Sequence, residues 1–308
     1  MNKKLLAILL AGALILVGFA SCKKKKSGVS DDEDYIEDDT VYDFVLLESR
    51  DAAGNLQKDE KGNQIYERFT FESLDTESVA ITKYEPQIIG SQKVVNKKTV
   101  TSYIRCYTKH TVVIPETLDN KRVASIDAAV FTGLTDLSAV VIPETVTSIG
   151  AYAFARCTEL TALSLPASVT ALGDGAFYGC TKLASLTFAE NSVLETIPAS
   201  AFQNCSALTA VNLPASVKTV KMGAFQNCSA VTTLTVSEGT EAIEAQAFYG
   251  LTALSTVTLP ASVTTMGELN FYGCTAIAGV TAPAESVAAT YLARVLAKDV
   301  PTEPVTAE

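Results

Sequence analysis

Seven cysteines and a single histidine are the residues of this chain best able to do chemistry. Cys157, Cys180, Cys205 and Cys228 follow one another at intervals of 23, 25 and 23 residues, and Cys274 stands 46 residues further on. Thiols so arranged could pair as disulfides, ligate zinc or act as nucleophiles. The last two need imidazole or carboxylate partners. The only histidine, His110, lies far from these cysteines in sequence and has no acid cluster beside it. No Ser-His-Asp, Cys-His or zinc arrangement results, and no G-x-G-x-x-G or other phosphate loop occurs. Carboxylates such as Asp174, Glu190 and Glu195 fall singly on turns and loops. We expect no catalytic residues, no metal, no cofactor and no enzymatic activity.

What spaces the cysteines is a repeat. Phenylalanine recurs at Phe131, Phe154, Phe177, Phe202, Phe225, Phe248 and Phe271, with steps of 23, 23, 25, 23, 23 and 23 residues. A fixed period in this range signals a solenoid, one unit stacked on itself. The position three after each Phe holds Leu134, Cys157, Cys180, Cys205, Cys228, Leu251 and Cys274. Leucine and cysteine share the slot, so the cysteine is expected to act as a small buried hydrophobe. Rungs about 4.8 Å apart would allow a disulfide by Cα distance, but side chains of one column point the same way rather than at each other.

The whole unit reads I-x-x-x-A-F-x-x-C-x-x-L-x-x-V-x-L-P-x-S-V-x-x-I. Pairs such as Leu163 with Leu165, and Val257 with Leu259, alternate with period two and predict a short strand with one buried face. The Ala-Phe pair predicts one helical or 3₁₀ turn. Two residues past each Phe stand Gly133, Arg156, Gly179, Asn204, Asn227, Gly250 and Gly273. Six of these seven are Gly or Asn, which enter the left-handed region cheaply. Pro143, Pro166, Pro214, Pro260 and Pro283 end the strands.

With L-x-x-V-x-L as its strand, this unit resembles the BspA-type (treponemal-type) leucine-rich repeat. Residues 146–154 (V-T-S-I-G-A-Y-A-F) and 176–180 (A-F-Y-G-C) carry the likeness, which spans about residues 111–283. The resemblance implies an α/β solenoid, a leucine-rich repeat arc with a parallel sheet on its concave side and short helical or 3₁₀ turns on the convex side. It implies no catalytic residues. For proteins of this kind it implies a surface lipoprotein that binds another macromolecule.

The N-terminus carries an address. Lys3 and Lys4 precede an apolar run from Leu5 to Ala20, short for a membrane span and suited to a secretory signal over residues 1–21. It ends Phe19-Ala20-Ser21-Cys22, which resembles a bacterial lipobox with Cys22 as the lipidated first residue. Residues 22–40, with Lys23 to Lys26 and then an acidic block from Asp31 to Asp39, are expected to be an extended tether. Loss of residues 1–21 removes two lysines and no acids, so the formal charge moves from −10 to −12. Between Val123 and Pro283 eleven acids face four bases, a balance that excludes nucleic acid as a partner.

A solenoid needs both ends covered. Residues 41–110 are expected to form an irregular β N-cap, with strands at 41–48 and 65–71, a degenerate first rung at 79–84 and a hairpin over 94–107. Residues 284–308 are expected to supply a capping helix from about Pro283 to Lys298, with an apolar stripe through Tyr291, Leu292 and Val295. Pro301 and Pro304 are expected to leave a loose tail.

The outward strand positions hold only Ser, Thr, Ala, Asn, Val and Gly, with no charged or aromatic anchor. Tyr178, Tyr249 and Tyr272 directly follow the core Phe and are the candidate partner contacts. The expected function is a non-enzymatic, lipid-anchored lipoprotein at the bacterial outer membrane or cell surface, joining a protein partner by interaction or adhesion. The alternative is a scaffolding lipoprotein facing the periplasm.

Overall fold

The computed structural model describes residues 53, 55–58, 65–74, 77–95, 98–105, 110–118, 120–299 and 303–306. Before them it describes the backbone strands Ala7–Leu10, Ala13–Gly18 and Asp43–Glu48. Cys22, the lysine run, the acidic block and Cys106 lie outside the described residues.

Stacking of the repeats makes a β-solenoid of seven phenylalanine-centred turns. The V-x-L segments form the expected parallel strands, Leu137–Val141, Ala162–Leu165, Ser185–Phe188, Ala210–Leu213, Thr233–Val236, Thr256–Thr258 and Gly279–Thr281. Leu163 and Leu165 are buried while Ala162 and Ser164 are exposed, as period-two alternation requires. Register is strict: Thr233, Thr256 and Gly279 sit side by side, as do Leu234, Val257 and Val280.

Each turn also contains a second strand. Ser148–Ile149, Ala171–Leu172, Thr196–Ile197, Thr219–Val220, Ala242–Ile243 and Thr265–Met266 pair in parallel along the opposite wall. Two residues are too few to show alternation in sequence. The apolar residue five before each Phe is the inward half of that strand.

The expected turn at Ala-Phe is closed by single bonds to the third residue back, from the Ala153 N–H to the Gly150 carbonyl at 3.3 Å and from the Ala155 N–H to the Tyr152 carbonyl at 3.0 Å, and does not extend into a helix. Among the described residues the only helix is Val287–Leu296. The alternate N–H groups of the segment bond along the solenoid axis. The N–H groups of Tyr152, Phe154 and Arg156 donate to the carbonyls of Asp174, Ala176 and Tyr178 on the next turn, at 2.9, 2.8 and 2.6 Å. A helix would keep those bonds within one segment. The geometry needs a left-handed residue on both sides of Phe. Two residues before it, Ala129, Tyr152, Ser200, Gln246 and Leu269 all have φ between 55° and 61°. The column after Phe advertises this with Gly or Asn in six turns of seven, the column before it with Gly in only two, Gly175 and Gly223.

Seven aromatic rings make the spine. Successive Phe centroids lie 4.7, 5.2, 5.5, 5.2, 5.9 and 5.6 Å apart, with interplanar angles of 16° or less. Tyr84 continues the stack beyond Phe131 at 4.8 Å, and Tyr291 closes it edge-on against Phe271 at 6.3 Å. The 25-residue step interrupts both sheets between Phe188 and Thr196, yet the Phe177 N–H still donates to the Ala201 carbonyl at 2.9 Å. The spine, not the sheets, bridges that insertion.

At the N-terminal end the long strand Ser78–Val95 does two jobs that the sequence reading split. Val79 and Ile81 lie in parallel beside Val123 and Ile126 as a first rung, and Gln87–Val95 pairs antiparallel with Lys98–Arg105. The C-terminal helix starts later than expected because the Ser286 hydroxyl accepts from the Ala289 N–H and caps it. It buries Ala288, Tyr291, Leu292 and Val295. The tail is not loose throughout: Val305 and Thr306 pair antiparallel with Met266 and Thr265. No helix among the described residues is long and apolar enough to cross a membrane.

Candidate interaction surfaces

The cysteines belong to the interior. Cys157, Cys180, Cys205 and Cys228 have no solvent exposure, Cys274 has 8%, and all five are free thiols. Each Sγ donates to the carbonyl of the phenylalanine one turn earlier: Cys157 to Phe131, Cys180 to Phe154, Cys205 to Phe177, Cys228 to Phe202 and Cys274 to Phe248, at 3.1–3.4 Å. The thiol therefore answers a main-chain acceptor that a leucine in the slot leaves alone, a role not legible from side-chain size.

Burial pushes these thiols up from 9.0, to about 12 for Cys180, Cys228 and Cys274, and in the same direction for Cys157 and Cys205. The fold holds each proton more tightly than the unfolded chain does. Their contribution to stability is complete below pH 9 and is lost as pH rises toward 12. We expect the thermal midpoint to drop steeply across that interval. Below pH 9 a thiol reagent should reach the five only on unfolding, and all together. Labelling of one of them in the native protein would contradict this.

On the strand face, hydroxyls are less available than their number suggests. Thr161, Thr209, Thr232 and Ser255 each donate Oγ–H to a carbonyl one turn back. Thr187 does the same to the Leu163 carbonyl, while Thr233, Thr235, Thr256 and Thr281 remain on the exposed surface. Across this face the structure brings together methyl and hydroxyl groups with no charge.

On the turn face, Tyr249 and Tyr272 stack with centroids 5.4 Å apart and planes 17° from parallel. Tyr272 is half exposed at 51%. Tyr178 occupies the same column but stands apart from the pair, with Gln203 and Gln226 between. Gln203 Nε2 donates to Gln226 Oε1 at 2.9 Å. Beside this column Asn227 Nδ2 donates to Asn204 Oδ1 at 3.1 Å. The result is a file of planar side chains, tyrosine, glutamine, glutamine, tyrosine, tyrosine, one per turn. Sequence reasoning picked the tyrosines and missed the glutamines and Tyr152, which is 49% exposed. Tyr152 lies over Gly175, where an added Cβ would come within 2.3 Å of its ring. Reading the column two before Phe for aromatics would have found it.

Charges beside these faces pair across turns: Lys182 with Glu159, and Lys218 with Glu195 at 2.7 Å. Such exposed pairs contribute little to stability. His110 lies in the strand His110–Val113. Among the described residues no three of His, Cys, Asp and Glu converge as a metal site would need.

A model of the BspA type leucine rich repeat region matches in six copies over residues 101–231 and 195–291. The chain is similar in structure to a leucine rich cell surface protein from Faecalibacterium prausnitzii A2-165, at 27% identity and a TM-score of 0.55. That match covers 70% of this chain and 53% of that one, so the chain spans about half of that protein's length. It is also similar in fold to the leucine rich repeat protein of T. pallidum, at 24% identity and a TM-score of 0.57, covering 75% and 92% of the two chains. No curated protein matches.

Proposed function

The chain belongs to the BspA type leucine rich repeat family, and from that membership we propose that it is a non-enzymatic lipoprotein of the bacterial surface that binds a protein partner. The observation carrying this reading is the repeat array itself, which fills residues 101–291 and presents extended uncharged faces with no converging titratable groups among the described residues. The likeness to a leucine rich cell surface protein supports it. Adhesion to host matrix protein or to a neighbouring cell is the form of binding we favour. Residues 41–110 and 284–308 serve as caps in this reading, and Cys22 carries the lipid. The array's rigidity also suits a scaffold facing the periplasm, the second reading.

Two experiments test these proposals. Cys22→Ser should move the protein from the detergent phase to the aqueous phase, and a wild type already in the aqueous phase would end the lipoprotein reading. Protease treatment of intact cells should cut a surface protein and spare a periplasmic one.

Affinity should come from anchors rather than area. Tyrosine is a frequent hot-spot residue, and the Tyr249–Tyr272 pair is pre-stacked, whereas the strand face offers no aromatic or charged side chain. Tyr249→Ala/Tyr272→Ala should therefore weaken binding to an immobilised partner more than Thr235→Ala/Thr258→Ala. The reverse ranking would move the contact to the strand face, and no loss in either would favour the scaffold. Many anchored copies on one membrane would add avidity.

A further inference from the structure

The turns stack into two β-walls, one made of two sheets and the other of three, and of the four outer ends of these walls three are closed by the chain itself. At the N-terminal end the two-residue strand sheet continues into the strand Ser78–Val95. At its C-terminal end it is closed by Val305–Thr306. The other sheet begins at His110–Val113, where the Gln57 side chain takes the place of a strand. Its Nε2 donates to the Thr111 carbonyl at 2.7 Å and its Oε1 accepts from the Thr111 N–H at 2.9 Å.

The fourth end is open. Among the described residues the strand Gly279–Thr281 pairs only with Thr256–Thr258. The Gly279 N–H donates to the Ser255 carbonyl and the Thr281 carbonyl accepts from the Leu259 N–H, both at 2.9 Å. Main-chain groups alternate sides along a strand, so the N–H and carbonyl of Val280 point away from the sheet, and no described residue pairs with them. Side chains agree. Leu234 and Val257, at the same register as Val280, are 1% and 0% exposed, whereas Val280, Ile277 and Ala282 are only partly buried. A shallow groove of about 390 Å³ crosses the ends of this strand and of the two before it, lined by Val236, Leu259, Pro260, Thr281, Ala282 and Pro283, among others.

We infer that the outer edge of Gly279–Thr281 is a docking site for an extended peptide segment of a partner, added as one more strand of the sheet. Strand addition to a free edge supplies main-chain hydrogen bonds, and pockets for alternate side chains supply selectivity. The chain shows the chemistry that fits, because Val305 makes the same kind of addition to the neighbouring sheet with its side chain packed on the core. The segment should carry an apolar residue against Val280 and Ile277. It should be basic, since acids outnumber bases eleven to four from Val123 to Pro283. The same excess of negative charge disfavours a second copy of this chain. The site is separate from the tyrosines and stands or falls without them.

The test uses the full chain and a lysine-flanked synthetic peptide bearing the sequence of residues 255–259, the strand this sheet already accepts. Fluorescence anisotropy should show saturable binding that Val280→Pro weakens about tenfold or more by removing the outward donor. Tyr249→Ala/Tyr272→Ala should leave that binding unchanged. In the wild type, amide exchange at Val280 should slow when the peptide is added, a readout that does not depend on how well the proline variant folds. Equal binding of a scrambled peptide, or unaltered exchange at Val280, would overturn the inference. A dimer that Val280→Pro dissolves would overturn it in favour of a second copy as the occupant.

Discussion

Truncating Phe202 to alanine is expected to remove about 3–5 kcal/mol of stability, the range for a large aromatic deleted from a packed core. Phe202 is fully buried, with ring neighbours on both sides at 5.5 and 5.2 Å. Its position should place the loss at the upper end. Both sheets are interrupted just before this turn, so the aromatic spine and its axial hydrogen bonds carry the coupling between the two parts of the array. Stability in a stacked array is roughly a sum of units and nearest-neighbour interfaces. The variant should thus unfold in urea with a broadened transition, as the turns before and after the insertion uncouple. Phe271→Ala should cost less, because Phe271 has a stacked ring on one side only and the edge of Tyr291 on the other. Its loss should loosen the helix Val287–Leu296 before it disturbs the rest. Small, equal losses at the two sites would contradict a continuous spine.

Asn270→Ala is expected to destabilise the protein by about 2 kcal/mol or more, since each buried polar group left without a partner costs about 1–3 kcal/mol. Repeat comparison argues the opposite way. Five of the other six turns have alanine before the Phe, and substitution toward a consensus commonly stabilises. The structure explains why Asn is needed. In an inner turn the Phe225 N–H donates to the Ala247 carbonyl at 2.9 Å. At the last turn the Phe248 N–H donates instead to Asn270 Oδ1 at 3.2 Å, and the Asn270 carbonyl turns to accept the Tyr291 hydroxyl at 3.2 Å. Asn270 Nδ2 donates to the carbonyls of Glu244 and Gly267 at 2.9 and 3.0 Å. The side chain thus stands in for its own main chain and frees a carbonyl to hold the helix Val287–Leu296 through Tyr291. Urea denaturation gives the loss, and faster amide exchange at Phe248 would locate it. A gain in stability would show that the consensus argument governs the end of the array as well.

The difference between these two positions also marks the reach of sequence reasoning here. Phe202 is one of seven equivalent residues, and a period of 23 residues was legible because every turn must bury the same wall against its neighbours. The strand alternation at Leu163 and Leu165, the Gly and Asn column after Phe and the apolar stripe of the terminal helix were legible for the same reason. Each is a local pattern imposed by burial or by backbone sterics. Asn270 stood out only as a break in the pattern, and its meaning depends on Tyr291, which is 21 residues away.

By itself, then, the amino-acid sequence determined the solenoid, its repeat length, its phenylalanine spine and the buried slot of the cysteines, because repetition multiplies a weak local signal seven times. Tertiary structure alone decided what occurs once or lies between turns. The Ala-Phe turn does not propagate as a helix because every second N–H finds a carbonyl on the next turn, and a one-turn reading cannot contain that partner. The second strand is two residues long and exists only by pairing across turns. Which sheet ends are closed was decided by Gln57, Val305 and Thr306, residues remote in sequence from the strands they cover. Single contacts between distant segments leave no period to read, and they determine where this otherwise uniform array is left open.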